Sequence, residues 1–237
     1  MTTAIHESVA VAARLKRNQT TAFYLAFIAL GLVMASLGPT LPGLAENTGS
    51  SLSQISILFT VQSLGTLIGN FFSGRLYDRA PAYPFLAAVV VVIAVMLVFT
   101  PLTSSLAWLA ALMFIIGLGA GSIDVAGNTL LVWIHREAVG PRMNALHFFF
   151  GCGALLAPIF VAQAIGLTGG IAWAYWLLAV LILPAAALFV RLPSPVAPLR
   201  IAQAQTERPP WLLVFLIAAM FFLFVGAELS FGGWIYT

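Results

Sequence analysis

The sequence predicts an all-α integral membrane protein: a bundle of six transmembrane helices followed by the start of a seventh. Three observations carry that prediction. Hydrophobic residues make up 62% of the 237 positions and charged residues only 7%. A soluble domain carries about 25% charged residues, so this chain cannot clothe a water-facing surface. Long apolar runs such as Leu86–Pro101 and Ala172–Val190 approach the ~20 residues that a helix needs to cross a ~30 Å hydrocarbon core. Runs such as Val89-Val90-Val91-Val92-Ile93 lack the every-second-residue alternation of a transmembrane β-barrel. The helix remains as the structure that satisfies backbone polar groups inside lipid.

A short N-terminal segment, 1–21, precedes the first span, about Ala22 to Leu44. That span is no signal peptide. Its apolar stretch exceeds the roughly 7–15 residues of a signal core, and it ends Gly38-Pro39-Thr40-Leu41-Pro42 without a small-residue cleavage site. The second span covers about Ser53 to Tyr77 and the third about Tyr83 to Pro101. The fourth runs from about Leu106 to Ile134, the fifth from Met143 to Leu167 and the sixth from Ile171 to Val190. Residues 22–190 therefore read as one six-helix bundle. The stretch 191–210 holds Pro193, Pro195, Pro198, Pro209 and Pro210 and the polar run Gln203 to Arg208, and reads as a linker. Residues 211–237 read as an incomplete seventh span of a second bundle. Its end, Phe231-Gly232-Gly233-Trp234-Ile235-Tyr236-Thr237, supplies neither a polar exit nor a basic stop, and the chain is expected to be one half of a larger transporter.

Lysine and arginine set the topology. Arg14, Lys16 and Arg17 precede the first span, Arg75 and Arg79 lie between the second and third, and Arg136 and Arg142 between the fourth and fifth. Arg191, Arg200 and Arg208 follow the sixth. All 10 basic residues fall on alternate connections, and only Glu46 is charged on the others. The expected orientation has the N-terminus and the 191–210 segment in the cytoplasm of a plasma (bacterial inner) membrane. The basic residues form no single patch, so no nucleic-acid partner is implied. Cys152 is the only cysteine and can close no intrachain disulfide. His6, His135 and His147 are too scattered for a metal site. Phosphate-binding glycine loops, His/Cys metal spacings and nucleophile elbows are all missing from the sequence, which gives an enzymatic role or a cofactor no support.

Asp124 and Glu228 are the acids that lie well inside apolar spans. A carboxylate at mid-membrane costs roughly 2.5–3.5 kcal/mol, so each is a functional candidate. Asp124 belongs to a stripe with Gly117, Gly121 and Asn128, whose spacings of four, three and four share one helix face. The carboxylate and amide offer oxygens to a proton, a sodium ion or a sugar hydroxyl. The fifth span repeats the pattern with Asn144, His147, Gly151, Ala154 and Pro158. Because the connection between these spans is short, they are expected to be neighbours with their stripes on one cavity. Packing competes as an account of Asn128, Asn144 and His147, since polar residues also bind neighbouring helices. Gln62 lies in a third stripe, with Gly65 and Gly69, that reads mainly as packing. Glu228 precedes Gly232-Gly233, a pair able to unwind a membrane helix.

At the second-to-third connection stands Gly74-Arg75-Leu76-Tyr77-Asp78-Arg79. It resembles the signature loop of the major facilitator superfamily. The resemblance implies close helix contact at Gly74 and gating ion pairs at Asp78 and Arg79. Pro81, Ala82 and Tyr83 depart from the family pattern. The segments 37–42 and 51–56 resemble the first-span region of sodium-dependent glucose transporter-like proteins. The run Gly119 to Asn128, with Asn144, His147 and Gly151-Cys152-Gly153, resembles the fucose permease type, and the Glu228 segment is similar to the seventh span of both. The resemblance covers essentially the whole chain.

It implies twelve helices in two bundles and cation-coupled symport of a sugar or sugar-like solute, with H+ or Na+ as the coupling ion. Asp124 would bind that ion, while Asn128, Asn144 and Gln62 would meet substrate hydroxyls. Fucose permeases carry an acid in the first span and this chain has none there, which leaves Asp124 as the acid of the first six spans for that role. Ala157 stands before Pro158 where an antiporter signature has glycine, which tilts the expectation towards symport. Phe148, Phe149 and Phe150 keep efflux of amphipathic compounds open. A chain that transports only with a separate C-terminal half, or not at all, is the third reading.

Overall fold

In a computed structural model, the backbone is described for residues 2–77, 80–195 and 210–234, and side chains for 6–77, 80–195 and 210–227. Among the described residues eight α-helices follow in order: α1 Thr2–Thr48, α2 Leu52–Ile55, α3 Ile57–Tyr77, α4 Ala82–Phe99, α5 Leu106–His135, α6 Gly140–Thr168, α7 Ala172–Arg191 and α8 Trp211–Trp234. The described residues contain no strand. The chain is a multi-pass membrane protein. Among the described residues five helical stretches are long and apolar enough to cross a bilayer, and one of these, Leu106–Thr168, is 63 residues long. At ~1.5 Å per residue it would span about three bilayer cores if straight. It folds back at the 3₁₀ segment Arg136–Val139, where Arg136 takes φ 51°, and so supplies α5 and α6.

Local chemistry sets the other boundaries. Gly49 at φ 63° ends α1 and Gly169 at φ 75° ends α6, each in the left-handed conformation that favours glycine. The Gly169 N–H closes onto the Ile165 carbonyl at 2.8 Å. Ser51 and Gln54 form a capping box that opens the second span. Ser51 Oγ accepts from the Gln54 N–H at 3.2 Å, and Gln54 Oε1 accepts from the Ser51 N–H at 2.9 Å. The N-terminal segment is helical: α1 starts at Thr2 and continues unbroken into the span. Nothing in 2–21 stops a helix: the stretch has no proline or glycine.

The chain divides into two compact units, residues 1–197 and 198–237. In the first, three helix pairs pack most intimately: α1 with α6, α3 with α5, and α4 with α7. Glycines make the first two contacts. Gly31 faces the α6 backbone between Phe150 and Ala154, and Gly153 faces the α1 backbone between Ile28 and Leu32. Gly65 and Gly117 repeat this arrangement between α3 and α5, against Phe114–Leu118 and Gln62–Thr66. Gly69 and Gly121 repeat it one turn further on, against Leu118 and against Thr66–Asn70. Contacts advance in the same direction along α3 and α5, so that pair is parallel. Spans one and five, and two and four, do run the same way through a bilayer. Matching seams in which the first helix of one triplet meets the second of the other are the internal repeat expected of a bundle built from two three-helix units.

The expectation that the fourth and fifth spans are neighbours is corrected. Direct contact between α5 and α6 is sparse, and α1 touches both. The short connection brings their ends together, but glycine seams decide the packing, drawing α5 to α3 and α6 to α1. At the core, Phe23, Tyr83 and Phe189 join α1, α4 and α7, with ring centroids 5.2 to 5.8 Å apart. The second unit contains α8, 24 apolar-rich residues long. It runs without interruption through Gly232 and Gly233.

Candidate functional site

Asp124 and Asn128 sit one turn apart on the partly exposed face of α5. Asn128 Nδ2 donates to Asp124 Oδ1 at 3.1 Å and to the Asp124 carbonyl oxygen at 3.0 Å. This fixes the amide: its nitrogen faces the acid, and its oxygen has no partner among the described residues. A neutral donor that holds a carboxylate lowers the cost of keeping charge inside a membrane.

From α6, the exposed His147 ring lies within electrostatic reach of the Asp124 carboxylate. It is also set edge-on to Phe27 of α1, with centroids 6.0 Å apart and planes at 79°. Phe27 is buried, and its ring tip lies over Gly127 of α5. One α1 side chain therefore touches both the α6 histidine and the buried glycine of α5 one turn after the acid, and Gly127 provides its space. Sequence reasoning missed Phe27. Its aromatic type is ordinary in an apolar helix, and only the packing gives it a place.

The other expected residues fall in different places. Asn144 lies one turn before His147 on the exposed side of α6. Gln62 is buried at the α3–α5 seam beside Gly117. Gly117 is seven residues from Asp124, about 10 Å along the helix axis. The structure does not bring Gln62 to the Asp124 group. Gly74 was expected to permit close helix contact, and the geometry corrects this: a Cβ there would meet only Val125 Cγ1, at 3.9 Å. That is ordinary contact, and the true close approaches are at Gly65 and Gly69, nearer the helix centre. Asp78 and Arg79 lie outside the described residues, and Glu228 lies on α8 outside the described side chains.

Sequence reasoning also missed a polar seam between α3 and α5. Ser73 Oγ and Ser122 Oγ are 2.6 Å apart, and Tyr77 donates to the Ser122 carbonyl at 2.6 Å. Asn70 packs beside Gly121, and its side-chain oxygen is buried without a hydrogen-bond partner among the described residues. The signal was present, since Gln62, Thr66, Asn70, Ser73 and Tyr77 recur at three- and four-residue spacing. A surface hollow lined by Phe99, Leu102, Thr103, Ser105, Trp108 and Leu112 lies at the α4–α5 connection. It carries no ionisable group and is remote from Asp124 along α5.

A sequence model of the Major Facilitator Superfamily matches residues 23–237. Sodium-dependent glucose transporter 1A of Mus musculus is 35% identical over 143 residues, which cover 60% of this chain and 34% of that protein. Sodium-dependent glucose transporter 1 of Homo sapiens is 35% identical over 142 residues, 60% of this chain and 27% of that protein. Major facilitator superfamily domain-containing protein 4A of Homo sapiens is 37% identical over 153 residues, 63% of this chain and 30% of that protein. The matched part spans about a third of the length of these curated relatives or somewhat less.

Proposed function

Because the chain belongs to the Major Facilitator Superfamily, we propose that it takes part in cation-coupled symport of a sugar or similar small polar solute by alternating access. The observation that carries this reading is the Asp124–Asn128 pair, a carboxylate held by an amide on a partly open face of a membrane helix. A bilayer tolerates an acid at that depth at a cost of roughly 2.5–3.5 kcal/mol, which a coupling ion or proton offsets whenever it binds. The relatives named for sodium-dependent glucose transport support both a cation and a sugar. Asp124 binds the coupling cation in this reading. Asn128, Asn144 and His147 offer the amide and ring groups that hydrogen-bond hydroxyls. Gln62 has a positioning role in the seam, while Asp78, Arg79 and Glu228 serve gating or the second bundle. The 22–190 bundle moves as one of two rocking bodies, and the basic connections face the cytoplasm of the plasma membrane.

The test is gradient-driven uptake of labelled glucose and related sugars by cells producing the protein. Asp124→Asn abolishes accumulation above the external concentration while Gly74→Ala does not. Undiminished accumulation by Asp124→Asn sinks the coupling role.

A second reading, efflux of amphipathic compounds, is favoured by one observation. Tyr24 stacks on Phe149 with centroids 4.8 Å apart, and exposed Phe148 meets Phe149 at 5.6 Å, an aromatic surface beside His147. Drug-sensitivity profiles with and without the protein separate the two readings. Protection against amphipathic cations without sugar uptake favours efflux.

A further inference from the structure

The chain leaves α7 through Leu192-Pro193-Ser194-Pro195. Proline has no N–H to continue a helix, and it drives the residue before it into extended backbone. Leu192 is extended accordingly, at φ −103° and ψ 143°. What this stiff segment offers its surroundings is the Pro193 carbonyl and the Ser194 hydroxyl, and other helices take up both. Gln19 of α1 is buried, and its Nε2 donates to the Pro193 carbonyl at 2.9 Å. The Tyr83 N–H, in the first turn of α4, donates to Ser194 Oγ at 3.0 Å.

The second bond answers a local shortage. The first N–H groups of a helix have no partner within it, and a Ser, Thr, Asp or Asn at the N-cap commonly supplies one. The N-cap of α4 is Pro81, which makes no side-chain bond. A serine 111 residues further along the chain takes its place. The same three helices meet through the Phe23, Tyr83 and Phe189 rings. Phe23 lies one turn along α1 from Gln19, and Phe189 lies on α7 just before Pro193. Ring packing and the two hydrogen bonds therefore join α1, α4 and α7 at one end of the bundle.

We propose that Pro193–Ser194 is a strap that caps α4 from a distance and locks the ends of α1, α4 and α7 into one body that moves as a unit during transport. The strap fixes the point from which the chain after Pro195 departs. It also holds the start of α4, where the second-to-third connection ends, so the two connections are mechanically coupled. The inference deepens the rocking role proposed for residues 22–190, and rests on that role for its uptake readout alone.

Hydrogen–deuterium exchange of the full chain in detergent, read at the Tyr83 amide, tests the lock. Ser194→Ala removes the acceptor and should speed exchange there by roughly fivefold, the usual effect of losing a helix cap. Gln19→Leu meets the strap only through Pro193 and breaks no bond to α4, so faster exchange at Tyr83 in this variant is the signature of a single strap. Ser194→Thr keeps a hydroxyl acceptor and should exchange as the wild type does. The Gly117 amide, in the α3–α5 seam, should be unaffected throughout. Unchanged exchange at Tyr83 in Gln19→Leu overturns the strap, because the two bonds then act separately. Equal acceleration at Gly117 also overturns it, because the whole bundle has then loosened. In uptake, Ser194→Ala and Gln19→Leu should lower the maximal rate and leave the half-saturating sugar concentration unchanged, since neither residue belongs to the Asp124 group. Wild-type rates in both variants overturn the strap's part in transport. A wild-type chain that takes up no sugar defeats the proposed function instead, and exchange at Tyr83 still decides the lock.

Discussion

The hydroxyl of Tyr175 on α7 donates to Thr40 Oγ1 on α1 at 2.7 Å, and the direction of that bond follows from the rest of the network. Thr40 commits its own proton to the Ser36 carbonyl at 2.8 Å, with Leu37 at 3.2 Å as a shared acceptor. Both side chains are buried. The removal of one partner is therefore not equivalent to the removal of the other. Tyr175→Phe deletes the donor and leaves Thr40 satisfied, at a cost of about 1 kcal/mol. Thr40→Ala strands the Tyr175 hydroxyl in the core, at about 1–3 kcal/mol. Thermal unfolding in detergent should rank Thr40→Ala below Tyr175→Phe, and the reverse order would show that the hydroxyl finds another acceptor.

The glycine seams predict a second asymmetry. A Cβ at Gly117 would run into the Gln62 carbonyl, and one at Gly153 into the Ile28 carbonyl, both backbone atoms that cannot swing aside. Gly117→Ala and Gly153→Ala should each cost about 1–3 kcal/mol through helix displacement. Gly74→Ala, with open contact at 3.9 Å, should leave the unfolding midpoint unchanged or raise it. Equal midpoints for all three variants would mean that the seams are not close-packed.

At Gly127 the obstructing group is a side chain. An added methyl would meet the Phe27 ring, which stands between α5 and His147. Gly127→Ala should lower both stability and uptake, and Phe27→Leu should recover part of the loss by removing the ring tip. The coupling between the two substitutions is expected at about 0.5–3 kcal/mol in a double-mutant cycle. Strict additivity would place Phe27 elsewhere.

Asn128 offers a test of the acid's local support. Asn128→Ala removes the donor 3.1 Å from Asp124 Oδ1. Hydrogen bonds to charged groups contribute about 1.5–3 kcal/mol. The half-saturating cation concentration for uptake should therefore change by roughly tenfold or more, while the fold is retained. Asn128→Asp puts a second carboxylate beside the first and should weaken sugar uptake near neutral pH. Unchanged cation dependence in Asn128→Ala would make the pair structural only.

Much of the molecule follows from local properties of the chain. The spans are legible because an apolar run of membrane length in lipid has no alternative to a helix. Asp124 and Asn128 stand out because one turn of separation puts them in contact whatever surrounds them. The neighbours of each helix are not encoded so locally. Whether α5 meets α3 or α6 depends on glycines in four helices at once, and the short connection at 136–139 pointed to the wrong partner. The same is true of Phe27 and Asn70. An aromatic and an amide are unremarkable at those sequence positions, and gain their packing only when Gly127 and Gly121 of another helix draw up against them. Sequence alone determined the solvent, the helices and the acid, because each depends on residues within a turn or a span. Tertiary structure decided which groups surround that acid, because close packing between helices is a property of pairs of surfaces distant in the chain.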